Sequence, residues 1–503
     1  MAKRESFLQS IGSAVFWNSS NRVTSLIKHV IIAALIGLSS QLDVFYMAIA
    51  IIGMVVFSWA NMIDVMAVPN MVQFHKQGNK IAFDKISSGI FTLSILFSLL
   101  LALILLFFND LLARIAIGFD AARNEELAEA LLWLLPVAIT YIPYKFVGSI
   151  FRTKRQFSVF YQAEFIIGLA SLIIIIGFKN KPGVLLWSYS IGVVCAFAYL
   201  LINSKHFRLF GNPFTKEIKS VLKIAPGLLV LQGSQYLFVL SDRIFISFLT
   251  KGSVGALAYG RLMAFILSGL VSFRQSFITV FSEGDESSDT KQTLYNDIVS
   301  LSIFLSIPLS TFMMVFGKDI IAFVLERGAF SSGDTDLVYK ALIGFAWALL
   351  PVLAIGPIEQ IFQVQRRIDL LVQRRITGLI INCVLNSLFL FVLKLGVGGI
   401  AMATSISHWF VFCLAVYSAK DTGLVLEWKR MFCWLFWVCT ISFGGAAIFV
   451  IISRYFLLPY LIIFQFSAYY VFILFGAVIY RGKEGLLMRQ TLKRIATKAN
   501  VFK

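Results

Sequence analysis

A chain of 503 residues with 59% hydrophobic residues, 14% charged residues and a mean hydropathy of +0.84 lacks the polar surface that a water-soluble fold of this size requires. Its net charge of +18 would suit nucleic acid, but the basic residues sit in short segments between apolar stretches, which is the pattern of membrane topology and excludes a nucleic-acid partner.

About twenty apolar residues at 1.5 Å rise cross the hydrocarbon core of a bilayer. Fourteen such stretches follow in chain order, at 14–37, 44–70, 87–108, 127–151, 159–178, 183–203, 222–249, 254–281, 295–317, 337–362, 376–393, 397–419, 431–453 and 458–480. They leave no room for a sizeable soluble domain, so the expected fold is all-α and polytopic. Lys3 and Arg4 precede the first stretch, but no small-residue cleavage site follows a short apolar core, and the stretch is expected to be retained.

An amino terminus inside places the larger share of the 44 Lys and Arg on the cytoplasmic face, including Arg152, Lys154, Arg155, Arg366, Arg367, Arg374 and Arg375. Both termini are then cytoplasmic. The acidic loop 283–291 is the exception, and acidic residues weigh little in this rule. The basic tail from Arg481 to Lys503 reads as a segment facing solvent or headgroups. Cys195, Cys383, Cys413, Cys433 and Cys439 all fall inside predicted helices as small apolar fillers. His29, His75, His206 and His408 have no zinc-motif spacing, so no metal site is expected beyond a coupling ion.

The segment WLLPVAITYIPYKF at 133–146 returns as WALLPVLAIGPIEQ at 347–360, with LLPV 215 positions on, and Tyr46 has a counterpart 213 positions on in Tyr259. An even number of helices separates the copies, which gives two parallel six-helix repeats around a central cavity, related by an axis along the membrane normal. The expected domains are an amino-terminal lobe at 1–210, a second lobe at 211–425, two additional helices at 426–482, which include Arg454 and Tyr470, and the tail at 483–503.

Charges inside a bilayer cost roughly 2.5–3.5 kcal/mol each at mid-membrane, so they face a wet cavity or a partner. On the first helix Asn18, Arg22, Ser25 and His29 share one face, widened by Asn21 and Lys28. The seventh carries Gln232, Gln235 and Asp242, and the eighth carries Arg261, Ser268, Ser272 and Gln275. Asn61 and Asp64 join the cavity-lining set from the second helix. Arg22, Lys28, Arg243 and Arg261 outnumber the in-membrane carboxylates Asp64 and Asp242, which suits a substrate bearing phosphate, with diphosphate the leading candidate. The plainer alternative is internal pairing, Arg243 with Asp242 or Asp64 with Lys28, or snorkelling of Arg22 and Arg243 to an interface. Lys145 beside Tyr141 and Tyr144 is open to either reading.

Three segments, NRVTSLIKHVIIAALIGLSSQLDVFYMA at 21–48, SDRIFISFLTKGSVGALAYGRLMAF at 241–265 and LERGAFSSGDT at 325–335, supported by IFRTKRQFS at 150–158, resemble the MurJ/MviN-type lipid II flippases of the multidrug, oligosaccharidyl-lipid and polysaccharide exporter superfamily. The resemblance covers nearly the whole chain. It implies a fourteen-helix transporter, not an enzyme, of the bacterial cytoplasmic membrane, moving an undecaprenyl-diphosphate-linked glycan outward by alternating access, with the last two helices receiving the polyprenyl tail. It also implies substrate contacts at Arg22 and Arg261, a gating role for Asp43, and a sodium site at Asp242, Asn382, Asn386 and Thr404. The chain departs from the family where Lys28-His29 replaces an Arg-Asp pair and where Val55 and Val56 replace paired arginines of the second helix.

Mechanistically, a sugar diphosphate cannot cross hydrocarbon unaided, whereas its prenyl tail stays in lipid throughout. Membrane potential, sodium and protons are all open as the driving force. Competing readings are a capsule or exopolysaccharide precursor flippase, a MATE-like drug antiporter, which calls for cavity carboxylates, and a non-transporting scaffold. An enzyme would show paired carboxylates or metal ligands in aqueous loops, and none is visible.

Overall fold

The computed structural model describes residues 7–179, 181–205, 207–215, 218–219, 222, 225–265, 288–364, 367–455, 462–486 and 488–490. Ser268, Ser272 and Gln275, the loop from 283 to 287, His206, Arg366 and the tail from 491 lie outside these residues, as does the side chain of Arg454.

All regular structure among the described residues is helical. The first helix, α1, spans Phe7–Ile36, and α2 (Ser40–Ile52) runs through a π turn (Gly53–Phe57) into α3 (Ser58–Lys76). Then come α4 (Lys80–Phe107), α5 (Asn109–Ala113), α6 (Ala121–Trp133), α7 (Leu135–Thr153), α8 (Phe157–Gly177), α9 (Val184–Asn203), α10 (Ala225–Ile246) and α11 (Ser253–Phe265). The later helices are α12 (Ser288–Leu325), α13 (Ser332–Ala346), α14 (Leu349–Val364), α15 (Ile368–Ser387), extended by a π turn (Leu388–Val392), α16 (Gly396–Ala419), α17 (Trp428–Tyr455) and α18 (Ile462–Ile479). Local chemistry sets several starts: the side chains of Ser39, Asn79 and Asp120 accept from the amides of Leu42, Ala82 and Arg123, as N-caps do.

Each predicted stretch contains helix, and eight helices among the described residues are long and apolar enough to cross a membrane. Two bent pairs bring that number to ten of the fourteen expected crossings. The bends are themselves evidence of duplication. α6 and α7 meet at 44°, α13 and α14 at 45°, and both breaks fall at the repeated Trp and Leu-Leu-Pro-Val. Proline has no N–H to continue the ladder, so each break frees carbonyls. The Trp133 carbonyl accepts from Ser190 Oγ on α9 at 2.7 Å, and the Trp347 carbonyl accepts from Trp409 Nε1 on α16 at 2.8 Å. In both repeats the sixth helix supplies the replacement donor.

The chain forms two compact units, residues 1–255 with 327–331, and 256–326 with 332–503. In the first, α8 packs on α1 and α9, while α7 packs on α3, α4 and α9. The segment 327–331 is held by the Ala329 amide donating to the Ala34 carbonyl at 2.8 Å. Gly37 and Gly328 (φ +56° and +61°) make this contact possible, because a Cβ on either would collide with the backbone carbonyl of Ala329 or Ala34. In the second unit α15 and α13 pack on α16, and α12 packs on α13, α14 and α17. Buried serines such as Ser94, Ser302, Ser306 and Ser407 let helices approach closely and return their hydroxyls to the carbonyl four residues back. Large apolar side chains point outward, among them Leu99, Leu103 and Phe107 of α4 and Phe432, Phe436 and Phe443 of α17, as lipid contact requires.

Within the second unit a charged hub ties the start of α17 and the residues after α18 to α12. Arg430 bonds Asp297 of α12 at 2.9 Å and Glu484 at 2.5 Å, with Glu427 at 3.6 Å, and Glu484 is only 3% exposed. Arg430→Ala strands that carboxylate, and thermal unfolding in detergent is expected to show a loss of about 3–5 kcal/mol. Arg430→Ala combined with Glu484→Gln should recover most of it.

Candidate functional site

The polar face of α1 is present as the 3.6-residue period requires. Asn18, Arg22, Ser25, Lys28 and His29 are all partly buried, while Phe16, Val23 and Ile27 are exposed. His29 Nδ1 is 2.7 Å from the Ser25 carbonyl, so this side chain is held along its own helix. Neither Arg22 nor Lys28 has an ion-pair or hydrogen-bond partner among the described residues. They are the two cations of this face without a described protein partner.

Asp64 departs from the simple pairing with Lys28. Its carboxylate instead receives Arg152 and Ser149 of α7, so the second-helix carboxylate is neutralised by an arginine that charge counting assigns to a cytoplasmic loop. Arg152 and Ser149 are one turn apart on α7, so both reach α3 together. Lys145, one turn earlier, pairs with Glu164 of α8 at 2.8 Å, and its ammonium lies 5.4–5.9 Å from the ring centres of Tyr141, Tyr144 and Phe160. Asn61 donates to the Tyr236 hydroxyl at 2.8 Å. Gly53 opens the π turn against Tyr236, whose ring a Cβ would meet at 2.8 Å. Gln232 is partly buried and Gln235 exposed on α10.

Asp43 is 1% exposed, and its two oxygens accept the amides of Gly252 (2.7 Å) and Gly255 (2.8 Å). A carboxylate at the α11 amino terminus satisfies donors that the helix leaves open and meets the positive end of its dipole. Arg243 reaches back to the same hairpin, donating to the Tyr46 carbonyl, with its guanidinium 5.4 Å from the Tyr46 ring centre. Asp43 and Arg243 therefore join the α1–α2 and α10–α11 hairpins within the first unit. Nearby, a cavity of about 750 Å³ is lined by Ser39, Gln41, Glu126, Glu129, Trp133 and Lys181. Sequence reasoning missed it, since its walls come from three separated segments.

In the second unit Arg261 lies 5.8 Å from the Phe345 ring centre. Asn382, Asn386 and Thr404 are buried together: Asn386 Nδ2 donates to Asn382 Oδ1 at 3.1 Å, and Asn382 Nδ2 donates to Thr404 Oγ1 at 3.4 Å. Asp242, buried as well, belongs to the first unit. Glu359, two residues after Pro357, pairs with Arg375 of α15 at 2.7 Å. Lys145 stands two residues after Pro143, so the same inter-helix ion pair occurs in both repeats with its polarity reversed.

A long polytopic helical chain with two proline-bent helix pairs and in-membrane cations without a described partner has the build of a membrane transporter. The comparisons agree. The family model described as lipid II flippase MurJ matches residues 32–472, and the chain belongs to that family. A probable lipid II flippase MurJ of Thermotoga maritima is 24% identical over 398 residues, 78% of this chain and 81% of the relative. One of Vibrio cholerae is 25% identical over 470 residues, 83% and 88% of the two chains. A solved lipid II flippase MurJ in an inward closed conformation superposes with a TM-score of 0.79 at 19% identity, covering 93% of this chain and 98% of that one. A Vibrio cholerae MATE transporter shares the fold more distantly, with a TM-score of 0.60 at 13% identity over 82% of this chain and 96% of that one.

The reversed ion pair makes a sharp prediction. Lys145→Glu alone places two carboxylates side by side in a partly buried site and should cost about 3–5 kcal/mol in detergent unfolding. Lys145→Glu with Glu164→Lys should restore most of that, and failure of the rescue would mean that contacts other than the pair hold Lys145.

Proposed function

We propose that this protein carries an undecaprenyl-diphosphate-linked glycan, with lipid II the first candidate, from the inner to the outer leaflet of a bacterial cytoplasmic membrane. The observation that carries the reading is the α1 face, where Arg22 and Lys28 offer charge to no described protein partner. Membership of the MurJ family supplies the class of cargo. A diphosphate is the fitting counter-ion, since arginine and lysine recognise phosphate oxygens by charge-assisted hydrogen bonds.

In this reading both termini are cytoplasmic, Arg22, Lys28, Arg243 and Arg261 act on the diphosphate, and alternating access of the two lobes around a central cavity moves the headgroup while the tail stays in lipid. Asp43, through its hold on Gly252 and Gly255, stabilises the hairpin ends that gate the outer face. An inside-negative potential favours export of each negative charge by roughly 2.3 kcal/mol per 100 mV. The resemblance makes Asp242, Asn382, Asn386 and Thr404 the candidate sodium ligands, with protons the other coupling ion. The replacement of a family Arg-Asp pair by Lys28-His29 and of paired arginines by Val55 and Val56 favours, as the second reading, a related capsule or exopolysaccharide precursor. A MATE-like antiporter for cations fits poorly with cations in excess, and a non-transporting scaffold predicts no binding of prenyl diphosphate.

Cells depleted of their own lipid II flippase test the cargo. Rescue by this chain, lost in Arg22→Ala and Arg261→Ala at matched membrane levels, is the expected outcome. A well-inserted chain that fails to rescue moves the assignment to another lipid-linked glycan.

A further inference from the structure

Another cation stands apart from the α1 face. Arg374 of α15 is 4% exposed, and none of its three guanidinium nitrogens has a hydrogen-bond partner among the described residues. Buried arginine donors left unmet are strongly unfavourable, and such a group calls for an explanation. The neighbouring carboxylates do not provide one. Glu359 is taken by Arg375 at 2.7 Å and Asp369 by Arg367 at 3.4 Å. Asp421 acts only from outside ion-pair distance and is itself exposed. The Phe362 ring lies 4.0 Å from the guanidinium carbon, so an aromatic side chain covers the cation while its in-plane N–H donors remain unmet.

We propose that Arg374 is the centre of an oxyanion site, at the end of the second unit where α14 finishes, α15 begins and α16 returns, that holds the phosphate of an anionic lipid headgroup. The planar fork of a guanidinium matches two oxygens of a tetrahedral phosphate, which a single water cannot do. Arg374 lies about 9 Å along α15 from Ile368, near the end of a helix long and apolar enough to cross a membrane. The adjoining α16 packs on α15, and on a different face from Thr404, which meets Asn382, it exposes Ile406, Phe410, Cys413 and Tyr417 at helical spacing, a surface suited to acyl chains. Free phosphate offers the same oxygens but not the chains, and that difference separates the two sources. This site is independent of the substrate assigned to α1.

The test uses purified full-length protein in a neutral detergent, titrated separately with phosphatidylglycerol, phosphatidylcholine and inorganic phosphate, with Tm and the mass of retained adducts as readouts. Phosphatidylglycerol should raise the wild-type Tm and appear as a bound adduct, whereas phosphatidylcholine, with its compensating charge, should do neither. Arg374→Gln should lose both responses and, without lipid, be at least as stable as wild type, since it removes an uncompensated charge. Arg374→Lys, which keeps the charge without the fork, should respond with about tenfold weaker apparent affinity. Equal stabilisation by inorganic phosphate would keep the oxyanion site and assign it to soluble phosphate. The proposal is overturned if folded Arg374→Gln responds to phosphatidylglycerol as wild type does, or if it is less stable than wild type by the same margin with and without every anion.

Discussion

Everything in this molecule is arranged around the cost of an ionised group in hydrocarbon. That cost is several kcal/mol for each uncompensated charge, comparable to a large part of the stability of a domain. The chain meets it in three ways. Arg152 with Asp64, Lys145 with Glu164 and Arg375 with Glu359 cancel charge against charge between neighbouring helices. Asp43 is satisfied by backbone amides at a helix start. Arg22 and Lys28 are left without a described protein partner, which is the condition a carrier of phosphate must maintain between substrates.

The two halves solve the same mechanical problem with different residues. Proline breaks the fourth helix of each, the bend is nearly the same, and a side chain from the sixth helix takes up the freed tryptophan carbonyl. One half uses a serine and the other an indole. The ion pair two residues beyond the next proline keeps its place and inverts its sign. Geometry has outlasted chemistry here, because a helix bend and a neutral pair are what packing requires, and either polarity supplies them.

Periodicity made the helices and the α1 face legible, since one amphipathic stripe is written in consecutive residues. The repeated Leu-Leu-Pro-Val marked both bends for the same reason. The partner of Asp64 was not legible: Arg152 is 88 positions away and stands in a basic run that the distribution of positive charge assigns to a loop. Asp43 could be placed after the first helix by resemblance, but its donors are amides of glycines more than two hundred positions on, and backbone donors leave no trace in side-chain pattern. Arg374 was counted as one of several loop cations. Only its burial, with no carboxylate among the described residues at ion-pair distance, distinguishes it from Arg375 next door.

The central claim is that the basic face of α1 carries a lipid-linked diphosphate across the bilayer. The most direct measurement is translocation of a fluorescent lipid II in proteoliposomes of known protein orientation, followed by quenching from outside, for the wild type and Arg22→Ala. The account predicts protein-dependent translocation that the substitution abolishes while leaving insertion intact. Translocation that is unchanged by Arg22→Ala would contradict it.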